Sequence, residues 1–468
     1  MKIINDKFML ENDVAYDLYH NAAKHQPIYD FHCHLSAQDI YEDKPFKSIT
    51  EIWLYGDHYK WRLMRFCGVD ERYITGNASD EEKFEAYAKT IENAIGNPLY
   101  HWSMLELNEF FGINECLNSK NWKEIYDRAN KYIRDNNLSP RKFISQSNVY
   151  ALCTTNNPYD DLDWHEKIRK DNFATKVMPG MRPDEAFFIG EKKFLDMVSK
   201  MENKYNVSIT NYDELLESFE RATDYFIENG ARAFDHGFGY FIFEKASKEE
   251  VEQILEKALR REKISYIERY KFVSYFLTDL AGLYIRKDIA MLFHVGAYRN
   301  NNTKMFEEIG PDTGFDIMID QPEMSKHLNA FIDNVYKKFN TTPKMVWFNL
   351  NNEVNKVFAA TMSNFTVNAK MGGKLQVGTS WWFHDTESGM IDLMKTFSEQ
   401  AVFGEFLGML TDSRSFVSYT RFDYFRRILC NYIGDLVTKG KFPNDTETLQ
   451  RLTKKVCFEN AKKFFESN

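Results

Sequence analysis

Residues 27–34 (PIYDFHCH) form a short apolar run that ends in two histidines one residue apart. Seven more apolar runs with polar or unusual last residues follow: 149–155 (VYALCTT), 176–182 (KVMPGMR), 231–237 (ARAFDHG), 290–297 (AMLFHVGA), 344–351 (KMVWFNLN), 374–383 (KLQVGTSWWF) and 405–413 (EFLGMLTDS). Such nearly continuous apolar runs are typical of parallel strands that helices cover on both faces. Because helical patterns separate the runs, the sequence predicts an α/β fold of βαβ units. Eight strands favour a closed (β/α)8 barrel of the TIM type, with functional residues at the carboxyl ends of the strands; an open parallel sheet is the alternative.

The interval between the first two runs is unusually long. It contains helical patterns such as 80–92 (DEEKFEAYAKTIE) and 121–133 (NWKEIYDRANKYI). A structureless connection of this length would be exceptional in a compact domain. We therefore expect residues 36–147 to form a helical insertion after the first strand. Residues 1–35 and 148–468 are expected to form the barrel and its C-terminal helices.

The composition excludes several classes of function. The 468 residues are 43% hydrophobic and carry a formal net charge of -9, which gives no electrostatic reason to bind nucleic acid or an anionic membrane. No stretch has the length and apolar character of a signal peptide or a membrane span. The six cysteines are scattered without a CxxC pair, which is typical of free thiols in a reducing compartment, and the expected location is the cytoplasm.

The first and eighth runs carry candidate metal ligands. His32 and His34 are two residues apart on a strand, so their side chains point to the same side. Taken alone, this pair is as consistent with one structural and one exposed histidine as with a metal site. His294 ends the fifth run and Asp412 ends the eighth, which is the neighbour of the first in a closed barrel. Two histidines and a carboxylate are a common ligand set for zinc or manganese.

Two arginines lie at predicted strand ends as well. Arg182 ends the third run, and Arg414 follows Asp412 by two residues. A guanidinium matches the geometry of a carboxylate or an enediolate, so this pair favours an anionic substrate. The alternative is that each arginine pairs with a structural carboxylate. His58 and Tyr59 belong to the predicted insertion, where their pattern alone indicates ordinary helix surface.

An HxH on strand one, a histidine on strand five and an aspartate on strand eight resemble the amidohydrolase superfamily of metal-dependent hydrolases. The fourth run offers Asp235 and His236 but no lysine for a bridging carbamate, and the sixth has no histidine, so one metal ion is expected.

Nearly the whole chain resembles the uronate isomerase (glucuronate isomerase) family. The segments that carry this resemblance include DFHCHLSAQDI (30–40), GDHYKWRLMRFCGV (56–69), HVGAYRNNNTKMFEEIGPDTGFD (294–316) and GMLTDSRSFVSYTRFDYFRRILC (408–430).

The resemblance implies an intramolecular oxidoreductase that interconverts D-glucuronate with D-fructuronate and D-galacturonate with D-tagaturonate through a cis-enediolate. It implies one divalent ion, zinc or alternatively manganese or another metal, held by His32, His34 and Asp412. It further implies that catalysis and substrate binding use a set of residues around the metal: His58, Tyr59, Arg182, Asp235, His294, Trp381, Asp412 and Arg414. Two departures stand out, since residues 154–158 read TTNNP where the family has TTDDP, and His384 follows WWF where an amide is expected.

The expected roles follow from the chemistry of the reaction. Asp412 is expected to take a hydroxyl proton in ring opening, and Arg182 to stabilise the enediolate. Tyr59, aided by His58, is the candidate for moving the C1/C2 proton, and Arg414 with His58 or Trp381 is expected to hold the distal carboxylate. The alternatives are a metal-dependent hydrolase acting on a sugar-acid derivative and a non-catalytic sugar-acid-binding protein. The expected partner is a small-molecule uronate, and a homo-oligomer is expected.

Overall fold

The computed structural model describes residues 3–367 and 369–466. Apart from Ile317–Met318, which no run predicted, the described strands overlap the first seven apolar runs, and the eighth run holds no strand. They are β1 Ile28–Asp30, β2 Val149–Asn156, β3 Lys176–Met181, β4 Ala233–Phe238, β5 Ala290–Val295, β6 Ala297–Tyr298, β7 Ile317–Met318, β8 Met345–Asn349 and β9 Leu375–Val377.

Helices fill most of the intervals between the strands. They are α1 Asp13–Leu18, α2 Ala37–Glu42, α3 Ile49–Leu54, α4 His58–Phe66, α5 Asp80–Ile91, α6 Pro98–Phe111, α7 Trp122–Asn136, α8 Pro140–Gln146, α9 Asp163–Lys170, α10 Lys192–Tyr205, α11 Tyr212–Glu228, α12 Lys248–Leu259, α13 Tyr266–Lys287, α14 Thr303–Ile309, α15 Met324–Phe339, α16 Asn355–Asn364, α17 Glu387–Gln400, α18 Thr420–Thr438, α19 Thr446–Lys454 and α20 Asn460–Glu466. Short 3₁₀ or π turns lie at Tyr19–Ala23, Glu71–Tyr73, Asp184–Phe188, Asn352–Val354, Trp382–His384, Phe403–Glu405 and Lys455–Glu459. None of the described helices combines the length and apolar character needed to span a bilayer.

The long strands form two parallel sheets, in the orders β1-β2-β3 and β4-β5-β8-β9. Parallel pairing brings the carboxyl ends of neighbouring strands to one edge, and Gly237 on β4 is the partner of His294 on β5. The short β6 and β7 pair antiparallel in a separate ribbon. The predicted alternation of parallel strands with helices is therefore confirmed. A closed ring of eight strands is not, because the described strands form two sheets.

The eighth predicted strand, residues 405–413, is wrong as a strand. Gly408 and Asp412 have φ values of 76° and 45°, in the left-handed region, which an extended ladder does not accommodate. At Gly408 an added Cβ would lie 2.4 Å from the Val456 carbonyl oxygen, so the turn requires glycine. The segment nevertheless lies beside the first run. The Asp412 N–H donates to the His32 carbonyl at 3.2 Å, and the His34 N–H donates to the Ser413 carbonyl at 2.9 Å.

Side chains that alternate along the strands divide into two buried layers. One layer packs against the helices and includes Phe293 and Trp347, whose rings stack at 3.8 Å with an interplanar angle of 4°. The other layer contains alternate residues of both sheets together with α20, and Phe31 stacks on Phe465 at 5.0 Å. Both sheets are therefore covered on two faces, which explains why the strands read as continuous apolar runs.

One buried hydrogen-bonded pair fixes the eighth segment against β1. Asp30 is fully buried, and its carboxylate accepts from the Thr411 N–H at 2.9 Å and from the Thr411 hydroxyl at 2.6 Å. Since Asp412 follows Thr411 and His32 lies two residues after Asp30, this pair also sets the distance between the candidate metal ligands.

We expect Thr411→Val to lower the free energy of unfolding by about 1–3 kcal/mol, because it leaves a buried carboxylate oxygen of Asp30 without its hydroxyl donor. Chemical denaturation monitored by tryptophan fluorescence measures this loss. The matched control is Thr411→Ser, which keeps the hydroxyl and should lose less. Equal stability of Thr411→Val and the parent protein would show that the hydroxyl does not hold this junction.

Candidate active site

Two histidines and one carboxylate meet where the first run ends. His32 Nε2 and His34 Nε2 lie 3.2 Å and 3.0 Å from the same oxygen, Oδ1 of Asp412. The His32 side chain is buried, and its Nε2 makes no hydrogen bond. A buried ring nitrogen without a hydrogen bond, beside a carboxylate, is an arrangement that a bound cation would satisfy. The three ligand atoms lie within 4.8 Å of one another, so these residues fit a single divalent ion.

The protonation states of two of these groups favour metal binding, which requires neutral imidazole and ionised carboxylate. Burial lowers the pKa of His34 to about 4, so this ring is neutral at physiological pH. Burial alone would raise the pKa of Asp412, but the adjacent His32 and His34 hold it well below its usual range. The second carboxylate oxygen of Asp412 accepts a hydrogen bond from Trp381 Nε1, which fixes its orientation.

A second histidine and carboxylate group lies deeper in the same region. His294 Nδ1 lies 2.5 Å from Asp235 Oδ1, and the His294 ring stands 4.5 Å from that of His32. His32, Asp235 and His294 also bring their ligand atoms within 4.8 Å of one another, and His294 Nε2 is buried without a hydrogen-bond partner. The two candidate metal groups share His32.

Arg182 is held by this deeper group. Its Nε donates to Asp235 Oδ2 at 2.5 Å, and it lies 3.6 Å from Asp184 Oδ2. Burial would raise the pKa of Asp235, yet the charges of Arg182 and His294 hold it well below its usual range. Arg182 thus pairs with a buried carboxylate and at the same time borders the pocket described below.

The start of α4 presents His58 and Tyr59. Asp57 caps the helix, and its carboxylate accepts from the backbone N–H of Tyr59 at 3.0 Å and of Lys60 at 3.2 Å. The His58 ring stacks on Tyr59 at 4.9 Å with an interplanar angle of 14°. Burial raises the pKa of Tyr59 well above its usual range, with Arg421 opposing and Asp412 adding to the shift, so the free phenol is protonated at neutral pH.

These groups meet in one pocket. Its lining is His34, Gly56, Asp57, His58, Tyr59, Arg182, Arg299, Asp312, Trp382, Asp412, Ser413, Arg414, Ser415 and Arg421. Arginines therefore surround a small polar space beside the candidate metal ligands, in a protein of net negative charge. Such a pocket attracts a carboxylate and stabilises an enediolate.

At the pocket mouth, Arg414 Nη2 donates to Asp312 Oδ2 at 3.0 Å, and Arg299 Nη1 donates to Asp316 Oδ2 at 2.9 Å. The Arg414 side chain is 41% exposed, so its guanidinium is accessible to a ligand. The Arg299 guanidinium lies over the Trp382 ring at 4.7 Å.

The structure brings together most of the predicted site residues, but not all of them line the pocket. His32, Asp235, His294 and Trp381 lie outside its lining. Asp235 and Trp381 hydrogen-bond the lining residues Arg182 and Asp412, His32 lies 3.2 Å from Asp412, and His294 contacts Asp235. Sequence reasoning missed a set that does line it: Arg299, Asp312, Trp382 and Arg421. All four lie in the long blocks quoted above or beside Trp381, so the signal was present without any pattern that singled them out.

The two unusual amides of residues 154–158 lie outside the pocket lining. The side chain of Asn156 accepts a hydrogen bond from Thr154 at 2.8 Å, and the Asn157 N–H donates to Asp160 Oδ2 at 2.7 Å. Their contacts are local turn contacts at the end of β2. His384 also lies outside the lining and contacts Asn352 Nδ2 at 2.9 Å.

Known proteins with similar sequences or structures share one description. The glucuronate isomerase family matches residues 1–465. The chain is 47% identical to the uronate isomerase of Clostridium acetobutylicum over 99% of this chain and 98% of the relative. It is 46% identical to that of Bacillus subtilis over 98% and 97% of the two chains. The crystal structure of uronate isomerase from Thermotoga maritima superposes with a TM-score of 0.92 at 29% identity, covering 99% of this chain and 100% of the other.

These matches run through the HxH pair, the aspartate segment that contacts it, and the helices that surround the pocket. The site geometry and the full-length similarity agree, and the chain belongs to the glucuronate isomerase family.

Proposed function

We propose that this protein is an aldose–ketose isomerase that converts D-glucuronate to D-fructuronate and D-galacturonate to D-tagaturonate. The observation that carries the proposal is the pocket, where arginines and a tyrosine surround the Asp412 carboxylate and its two histidines. An isomerase of this kind must bind a carboxylate, stabilise an enediolate and move protons. The full-length similarity to uronate isomerases supports the same reaction.

The two parallel sheets are proposed to be arcs of one (β/α)8 barrel of the metal-dependent hydrolase kind, built from residues 1–35 and 148–468. Three observations support this at the gaps between neighbouring strands or segments. β3 and β4 lie close together, since a Cβ added to Gly180 would be 3.4 Å from the Ala233 carbonyl oxygen. The Gln376 side chain, on β9, donates to the Glu405 carbonyl at 2.8 Å, and residues 412–413 form backbone hydrogen bonds with the first run. Residues 36–147, which hold α2–α8, are proposed as the helical insertion.

One divalent ion is proposed to bind at His32, His34 and Asp412, with zinc as the expected metal and manganese as the alternative. The donor set and the unpartnered Nε2 of His32 support this assignment. When bound, such an ion supplies positive charge that orients and polarises the oxygens of the substrate. His294 and Asp235 are proposed to serve substrate binding from behind the pocket, because Asp235 holds Arg182 and the His294 ring lies beside that of His32.

Ring opening is proposed to use Asp412. Its ionised carboxylate takes the proton of the anomeric hydroxyl and passes it to the ring oxygen as the bond between C1 and the ring oxygen breaks, which yields the open-chain aldehyde. The hydrogen bond from Trp381 leaves Oδ1 as the oxygen that faces the histidines, so Trp381 is proposed to orient Asp412 and the bound substrate.

Isomerisation then removes the C2 hydrogen as a proton, forms the C1–C2 double bond of the cis-enediolate, and returns that proton to C1, while the O2 hydroxyl proton passes to O1 as C2 becomes the ketone carbon. Arg182 is proposed to stabilise the enediolate, since Asp235 fixes its guanidinium at the pocket wall. Tyr59 is proposed to carry the C1/C2 proton, with His58 stacked against its ring.

The distal carboxylate of the substrate is proposed to bind Arg414, assisted by His58. In the structure Arg414 pairs with Asp312, whose carboxylate a substrate carboxylate would replace. Two charged groups at an accessible position exchange partners at low cost, because exposed ion pairs contribute only about 0–1 kcal/mol.

The cytoplasm and a homo-oligomeric state are proposed for this protein. The cysteines are free, as expected in a reducing compartment. Large apolar side chains on the surface, such as Phe66 with 91% and Ile95 with 96% exposure, support contacts between copies.

The activity assay separates the isomerase from the metal-dependent hydrolase alternative. We expect metal-loaded protein to convert D-glucuronate and D-galacturonate to ketoses, measured by a coupled reduction of the ketose product. Hydrolysis of a uronolactone should stay at the background rate, because the pocket holds groups for enediolate formation. Lactone hydrolysis without any ketose formation would overturn the proposed function.

Substitutions of Arg182 and Arg414 are expected to change different kinetic constants. Arg182→Met should lower kcat by about 100-fold or more with a smaller change in KM, because negative charge develops next to Arg182 only in the transition state. Arg414→Met should instead raise KM by about 10-fold or more, because the carboxylate is bound throughout the reaction. Steady-state kinetics of both variants test this, with metal content measured on the same samples as a control. The same defect in two variants that keep their metal would contradict the division of roles.

A further inference from the structure

Arg421 is a buried cation behind Tyr59 that the mechanism above does not use. It is the second residue of α18, and its side chain is 2% exposed. Its guanidinium carbon lies 4.2 Å from the centre of the Trp102 ring and 5.1 Å from that of the Tyr59 ring. The guanidinium therefore packs against both aromatic rings at the wall of the pocket, which Arg421 also lines.

The hydrogen bonds of Arg421 are few for a buried guanidinium. Nη1 donates to the Thr411 carbonyl at 3.4 Å and lies 3.6 Å from Asp385 Oδ2, while Nε is buried without a partner. Arg427 on the same helix is different, because all three of its nitrogens donate at 2.6–2.7 Å. The charge of Arg421 is thus only partly neutralised by local partners and acts on the aromatic side chains that it contacts.

The charges around Tyr59 determine how easily its phenol ionises, and Arg421 is one of them. The carboxylates of Asp412, Asp385 and Asp57 oppose ionisation of the phenol, and burial opposes it further. His58 stacks on one side of the ring. Among the described residues whose charges act most strongly on Tyr59, Arg421 is the cation that favours the ionised phenol.

We propose that Arg421 is a positioning residue for Tyr59, holding the ring at the pocket wall and stabilising the phenolate that takes the C2 proton. The inference rests on the proposed function, because it requires Tyr59 to carry the proton between C2 and C1. Before the cycle the Tyr59 phenol releases its proton to water; the phenolate then takes the proton from C2 and becomes the phenol, which returns the same proton to C1 and is the phenolate again. A fixed positive charge beside the ring lowers the cost of the phenolate from which the transfer at C2 starts.

A double-mutant cycle tests this directly, since it measures whether one residue acts through another. We expect Arg421→Gln to lower kcat for D-glucuronate by about 10- to 100-fold when Tyr59 is present. In the Tyr59→Phe background the same substitution should change kcat by less than about 2-fold, because no phenolate is left to stabilise. Arg421→Lys keeps the charge and should lose less kcat than Arg421→Gln.

The matched control is Arg426→Gln, on the same helix. Arg426 is also buried with an unpartnered Nε, but it donates to the carbonyls of Gln26 and Pro27, away from the pocket. Arg426→Gln should lower stability to a similar degree and should affect kcat equally in both backgrounds. If Arg421→Gln does not fold, the same comparison made with Arg421→Lys is expected to show a smaller loss that still depends on Tyr59.

Equal kcat losses from the Arg421 substitution with and without Tyr59 would overturn the inference, since Arg421 would then act independently of the phenol. A Tyr59→Phe variant with unchanged kcat would overturn both the inference and the proton-carrying role of Tyr59. These two results are distinguishable, because only the second requires a different proton carrier in the proposed function.

Discussion

The Asp412 carboxylate, partly buried between His32 and His34, is the interaction on which the site depends. One oxygen lies within 3.2 Å of both imidazole nitrogens, and the other accepts a hydrogen bond from Trp381. A buried charge is costly unless it is paired and hydrogen-bonded. The two histidines can pair with Asp412 because its segment is fixed beside β1. The hydrogen bonds between Asp30 and Thr411 hold the segment there.

A second buried carboxylate, Asp235, organises the neighbouring wall. It binds Arg182 and His294 together, so that the guanidinium is held in place before any substrate arrives. Groups fixed in advance need not reorganise as charge develops, which is the physical basis of electrostatic catalysis. The contacts that stabilise these buried charges thus also orient them, and α4 supplies Tyr59 to the same pocket.

The sequence predicts the strands well where side chains are buried on both faces. All residues of β5 and β8 are buried, and both strands lie inside the predicted runs. The closeness of His32, His34 and Asp412 was predictable because it follows from strand alternation and chain order. The prediction of a strand at residues 405–413 was wrong because the backbone at Asp412 is left-handed. This conformation is uncommon for a residue other than glycine, and an apolar run does not reveal it.

Site residues on loops and on α4 were harder to predict. The position of Tyr59 depends on the Asp57 cap and on a contact with Arg421, which lies far away in the chain. Arg299 and Asp312 reach the pocket from a long connection after β5, where no periodic pattern indicates which side chains point inward. Only three-dimensional packing brings such residues together.

The proposed divalent ion binds where His32, His34 and Asp412 meet. Anomalous diffraction at the zinc absorption edge, from crystals of the zinc-reconstituted protein, tests this site. We expect one anomalous peak per chain, within about 2.0–2.2 Å of both Nε2 atoms and of an oxygen of Asp412. Two peaks per chain, or a single peak away from Asp412, would contradict it.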